Sequence, residues 1–245
     1  MFKKFIVTVF AFIAVLGSIS PALSQQIVVP PQFTNQNDFG ALSIFDCADL
    51  PNGIRTQVLF PANDLIAGTI SGTALRLFDG SPGFGPTSVP NVTFILSTYT
   101  NPGPLSTVFD SNTGADAVTV FAGTANIPGE PGCNVNPCPF GQPLVFQTPF
   151  EYDPANGDLL LEAIIPACIG GVPSNVLIDS TGVLDGVFAF DSTAGQGDNG
   201  FGNITEIIYL NTTNVPTLSE WGLIAMAGIL GIVGFLVIRR RKVVA

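Results

Sequence analysis

The stretch QPLVFQTPFEYDPANGDLLLEAII, residues 142–165, decides the fold class. Leu144 and Phe146 share one face of an extended segment over 142–150, and Leu159, Leu161 and Ala163 share one face of another over 158–165. A period of two puts every second side chain on the same side of a strand. Between the two segments, Asp153-Pro154-Ala155-Asn156-Gly157-Asp158 reads as a tight turn of the kind that closes a hairpin, with Pro154 fixing φ and Asn156-Gly157 tolerating positive φ.

Outward from this stretch the same grammar recurs. Val92, Phe94 and Leu96 line one face over 91–100, and further strands are predicted at 41–47, 55–60, 69–78, 116–122, 175–178, 186–190 and 204–211. Glycine, proline, asparagine and aspartate fill the intervals, and no long 3.6-residue period is present. The pattern predicts an all-β, antiparallel β-sandwich or jelly-roll-like domain; without a crossover helix, parallel βαβ folds are disfavoured. Phe45-Asp46, Phe78-Asp79, Phe109-Asp110 and Phe190-Asp191 each close a predicted strand, the ring free to enter the core and the carboxylate free to accept turn N–H groups.

The 245 residues include no histidine. That removes Ser-His-Asp and Cys-His nucleophile systems, the HExxH metal site and imidazole acid–base chemistry. The net charge is −10, with 11% charged and 47% hydrophobic residues. The acidic balance argues against nucleic acid as a partner, and the apolar content is too high for a disordered acidic chain.

The charge is unevenly distributed. Lys3 and Lys4 precede an apolar run over 5–16 and a small-x-small site at Ala22-Leu23-Ser24, so residues 1–24 read as a signal peptide cut by signal peptidase. At the other end, 221–238 is uncharged and apolar; as a helix it would be roughly 27 Å long, enough to span a membrane. Arg239, Arg240, Arg241 and Lys242 follow within the tail 239–245, and cations in this position hold it on the cytoplasmic side. The body between the ends, 25–214, has two cations, Arg55 and Arg76, against 17 acids, a net −15.

Val215-Pro216-Thr217-Leu218-Ser219-Glu220-Trp221-Gly222, followed by the apolar span and basic tail, resembles the IPTL-CTERM sorting signal of bacterial envelope proteins. Pro216, Thr217, Leu218, Trp221 and Gly222 match its pattern, and Val215 stands where isoleucine is usual. The resemblance implies that 215–245 is a sorting segment. It also implies an exosortase-type membrane transpeptidase as partner, acting on a membrane-anchored precursor that matures to the cell envelope, cell surface or medium. The body over about 57–163, including 96–98, 103–109, 112–123 and 150–162, resembles a β domain of PEP-CTERM-type exported proteins, which implies an exported β-sandwich with no defined activity.

Four cysteines allow three pairings. Cys133 and Cys138 can close locally, which leaves Cys47 with Cys168; in an exported body, structural disulfides are the expectation. Asp179-Ser180-Thr181-Gly182 places its glycine one residue late for an aspartic protease element, and a turn accounts for it. The acidic loops carrying Asp191 and Asp198, and Asp153 and Asp158, are candidate calcium ligands, although neither has EF-hand or nonapeptide-repeat spacing. Together these readings predict a non-catalytic cell-envelope or extracellular-matrix protein. The alternative is a calcium-assisted carbohydrate-binding module, with Tyr99, Tyr152 and Tyr209 stacking on polysaccharide rings.

Overall fold

The computed structural model describes residues 24–46, 50–167, 171–173 and 175–210. The described residues form eleven strands: β1 Gln25–Val29, β2 Phe39–Leu42, β3 Ile54–Phe60, β4 Gly68–Leu75, β5 Thr87–Tyr99, β6 Val118–Ile127, β7 Leu144–Tyr152, β8 Asp158–Ile165, β9 Leu177–Ala189, β10 Asp198–Asn203 and β11 Thr205–Tyr209. Helical structure among the described residues is limited to four short 3-10 turns. Two antiparallel sheets result. One has the order β1-β11-β4-β7; the other runs β10-β9-β3-β8-β5-β6, with β2 paired to the first half of β9. The architecture is the antiparallel all-β one that the sequence pattern predicts.

The core lies between the sheets. Ile54, Val58 and Phe60 of β3 face inward with Val92, Phe94 and Leu96 of β5 and Leu159, Ala163 and Ile165 of β8. Phe146, Phe150 and Tyr152 of β7 and Ile207 of β11 close on them from the smaller sheet. The alternation at 91–100, 142–150 and 158–165 thus marks the inner faces.

The turn at 153–158 does not close a hairpin. β7 pairs with β4 in the smaller sheet, whereas β8 lies between β3 and β5 in the larger one. The turn carries the chain from one sheet to the other. Its local chemistry is as expected: the Asp153 carboxylate accepts the Ala155 N–H at 3.0 Å, and Gly157 has φ +138°, where an added Cβ would meet the Tyr99 carbonyl at 2.4 Å. Turn residues specify a reversal of direction; the partner strand is chosen by which faces must be buried.

The outer face of the larger sheet is covered as well. Leu105 and Phe109, from the connection between β5 and β6, pack on Leu59, Leu160 and Val187. The polar groups beneath are mutually satisfied. Arg55 donates to Glu162 at 2.6 Å, to Asp110 at 2.9 Å and to the Ala194 carbonyl at 3.0 Å, and its guanidinium lies 4.7 Å from the Phe109 ring centre. Gln57 donates to Glu162 and to the Phe109 carbonyl and accepts from Asn112 at 2.8 Å. Burial on both faces explains why β8 reads as a nearly unbroken apolar run.

At one corner the sheets are joined through a buried ion pair. Beyond β4, residues 76–78 leave the smaller sheet and run against β9: Leu77 bridges Ile178, and the Asp179 N–H donates to the Arg76 carbonyl. Arg76 donates through Nε and Nη2 to Asp179 Oδ2 at 2.8 and 2.7 Å, and through Nη2 to the carbonyls of Phe33 and Gln36. Their side chains are 1% and 0% exposed. Burial pushes the Asp179 carboxyl up, opposed by the Asp38 N–H and the Arg76 guanidinium. Asp179 therefore lies within strand β9, not in a turn as its Asp-Ser-Thr-Gly context suggests.

Removing one partner of this pair strands a buried charge, which typically costs about 3–5 kcal/mol. Arg76→Ala should lower the free energy of unfolding, read from a urea titration, by an amount of that order. The paired change Arg76→Met with Asp179→Leu should recover part of the loss, but not all, because the Phe33 and Gln36 carbonyls lose their donor.

Candidate functional site

The connection between β6 and β7, residues 128–143, folds over one end of the sandwich. It is fixed by backbone pairing with residues 75–84. Phe84 and Glu130 exchange N–H···O bonds of 2.9 and 3.0 Å, Cys133 N donates to Ser81 O, Gly80 N donates to Cys133 O, and Gly141 N donates to Leu75 O. The two chains approach so closely that a Cβ on Gly83 would lie 2.6 Å from Gly132 N and one on Gly129 would lie 2.7 Å from Phe84 O. The Cys133–Cys138 disulfide, with a Cα separation of 6.0 Å, closes the tip, as the short spacing predicts. Cys47 and Cys168 lie outside the described residues.

Beneath this lid is a cavity of about 350 Å³, reaching in between β4, β5 and β6. Its walls are mainly apolar: Leu77, Phe84, Phe94, Ile127, Leu144 and Ile178 contribute, with the disulfide above. Thr73 also lines it. In register with Ile207 and Leu144, Thr73 shares their inward face; it is 6% exposed, and its Oγ1 has no hydrogen-bond partner. Sequence reading marked the insert by its cysteines alone. The Gly-Pro punctuation of 80–86 and 128–132 is the further signal that two irregular segments lie side by side.

Three of the four candidate calcium ligands accept backbone N–H groups. Asp153 caps its turn, Asp158 Oδ1 accepts the Ala62 N–H at 2.8 Å, and Asp191 Oδ1 accepts the Thr193 N–H and hydroxyl, both at 2.8 Å. Those bonds hold the exposed Asp191 carboxyl below its usual range. Asp198 opens β10, opposite Phe188 of β9. Among the described residues, no group of three or more Asp, Glu or Cys is placed to hold a metal ion.

The three tyrosines are not a sugar platform. Tyr99, Tyr152 and Tyr209 are buried, the Tyr99 hydroxyl donates to the Gly103 and Pro104 carbonyls, and Tyr152 donates to the Gly157 carbonyl at 2.8 Å. Their rings fill the ends of strands where apolar bulk is needed and only the hydroxyl requires a polar partner. A different aromatic row reaches solvent. Phe39 meets Phe201 edge-on at 5.1 Å, Phe201 meets Phe188 at 5.9 Å, and Phe188 meets Phe190 at 5.2 Å, with Phe190 57% exposed. Of the four Phe-Asp pairs, only Phe109 is fully buried; Phe190 stays outside, although Asp191 does cap its turn.

The predicted signal peptide up to residue 23, the motif from Val215 to Gly222, the apolar span 221–238 and the cations Arg239 to Lys242 lie outside the described residues. Among the described residues, no helix is long and apolar enough to cross a membrane.

Burial pushes the phenol of Tyr209 up to about 12 and raises those of Tyr152 and Tyr99 above their ordinary value. The folded chain then keeps protons that the unfolded chain releases, so this stability is complete below pH about 10 and is lost as pH rises towards about 12. Phenolate absorbance and far-UV circular dichroism, followed against pH, should change together. Phenolate forming at the value of free tyrosine in a chain that is still folded would contradict the burial.

The family model of the IPTL-CTERM motif matches residues 213–242, which include the proline motif, the apolar span and the cations through Lys242. The match does not extend into the body, and no curated protein or solved structure matches the chain. The chain thus carries an IPTL-CTERM motif at residues 213–242, which follows an antiparallel β-sandwich in the sequence.

Proposed function

We propose that this chain is a non-catalytic protein of the cell envelope or extracellular matrix. Residues 213–242 are its address, read by an exosortase-type transpeptidase, and the β-sandwich is the part that remains at work outside the cell. The observation that carries this reading is the position of the motif. The last described strand, β11, ends at Tyr209, and the matched segment begins at residue 213. β11 is held between β1 and β4, so cleavage beyond it removes no strand from either sheet. Processing then leaves an intact folded product.

The test is mass spectrometry of the protein recovered from envelope and medium. Trypsin is unsuitable because no lysine or arginine lies between Arg76 and Arg239. Cleavage after glutamate would release a peptide over 207–220 from the unprocessed chain, since Glu206 and Glu220 flank it. That peptide should be absent from mature protein and accumulate when the transpeptidase is deleted; its persistence in mature protein would overturn the reading.

A second reading, a carbohydrate-binding module at the surface, is supported by the aromatic row from Phe39 to Phe190. Phe190 is exposed and the other three rings are half-buried, so the row offers apolar surface to a sugar. A glycan array should then give saturable binding that falls at least about tenfold in Phe190→Ala, a loss of about 1.4 kcal/mol. Flat curves would remove this reading.

A further inference from the structure

We propose that the cavity beneath the disulfide-closed lid is a binding site for a small neutral molecule, largely aromatic or branched-alkyl, carrying one hydroxyl or carbonyl oxygen. This goes beyond the sorting reading and does not depend on it.

Size is the first argument. At about 350 Å³ the cavity lies within the range of small-molecule sites and is more than twice the volume that holds benzene in an apolar core. The second argument is Thr73. A buried hydroxyl without a partner is uncommon in a folded protein and calls for one, either water or a ligand. Water suits this space poorly. A buried water needs two to four polar partners, and the wall made by Leu77, Phe84, Phe94, Ile127, Leu144 and Ile178 offers none; Thr73 is the lining residue, among the described residues, whose side-chain hydroxyl is buried and unpaired. A molecule with one oxygen and an apolar remainder satisfies the hydroxyl and fills the rest.

Charge narrows the class. Arg76 borders the cavity, but its guanidinium is engaged with Asp179 and two carbonyls. Arg55 is committed to Glu162 and Asp110. No other cation exists in the body to hold a carboxylate or phosphate, and Glu130 stands in the lid. An anionic ligand of the same shape is therefore disfavoured. Access is through the lid, whose attachment to the sandwich is by backbone hydrogen bonds to residues 75–84 and whose tip is shaped by Cys133–Cys138.

The test uses the full chain and three probes of one size: 1-naphthol, naphthalene and 1-naphthoate. Fluorescence titration should give one-to-one saturable binding of 1-naphthol, with naphthalene weaker by about tenfold for want of the hydrogen bond and naphthoate weaker than either. Thr73→Val, which preserves shape, should abolish the preference for naphthol over naphthalene while retaining naphthalene binding. Ile127→Trp should fill the cavity and abolish both; circular dichroism and thiol titration verify its fold and its disulfide. Should Ile127→Trp fail to fold, Thr73→Val alone decides the matter through the naphthol-to-naphthalene ratio. No saturable binding by the unaltered chain, a ratio unchanged in Thr73→Val, or naphthoate binding as tight as naphthol would each overturn the proposal.

Discussion

The corner where Arg76 meets Asp179 is the constraint on which the rest of this sandwich depends. Two crossings between the sheets converge there. Residues 76–78 carry the chain out of β4 toward the larger sheet, and Ile204, between β10 and β11, carries it back, its N–H donating to the Asp179 carbonyl. The side chains of the pair also hold the segment after β1 through the Phe33 and Gln36 carbonyls and the Asp38 N–H. Arginine suits the position because its planar fork presents several donors at once and stays charged when buried. A lysine would offer a point charge and leave carbonyls unmatched. The pair's net contribution to stability is small next to the loss on breaking it, since both ions lose hydration. Its importance is geometric: it sets which strands turn the corner, and where.

Arg55 performs the matching task on the opposite side of the larger sheet, clamping the loops that bring Phe109 and Ala194 over β3 and β8. The body's two cations are thus both spent on internal architecture, and the surface left to solvent is almost wholly acidic or neutral. Such a surface repels copies of itself and polyanions alike. Asp153, Asp158 and Asp191 each accept a backbone N–H, which orients their carboxylates.

The inner faces were legible because three segments keep strict alternation against a single shared core. Strand partners were less so. The 153–158 turn has hairpin residues yet links two sheets, since β8 must be buried on both faces and only a place between β3 and β5 supplies that. β9 reads as two strands around Asp-Ser-Thr-Gly because its polar residues resemble a turn; Arg76, and Asn203 donating to Ser180, make them tolerable inside a strand. β5 extends past Pro90 through an irregularity where Asn91 adopts φ +56°, a conformation open to asparagine. β10, DNGFGN, has almost no apolar pattern and owes its place to pairing with β9. The cavity had no signature at all: Thr73 looks like any strand threonine until Ile207 and Leu144 fix its register.

The lid and the sorting segment occupy the chain in different ways, and the difference bears on what each can do. The lid is an insertion between β6 and β7, two edge strands of different sheets, and the Gln147 amide spans these strands by accepting the Ala122 N–H and donating to its carbonyl. With that edge fastened independently, the lid can vary or shift without opening the sandwich, which is where binding specificity is cheapest to place. The matched segment instead follows in sequence a strand held by neighbours on both sides, so a cut beyond Tyr209 leaves the pairing of β11 with β1 and β4 in place. Processing at one end and binding at the lid are then mechanically separate. A change confined to residues 213–242 touches no residue that lines the cavity, so it should leave what the cavity holds unaltered.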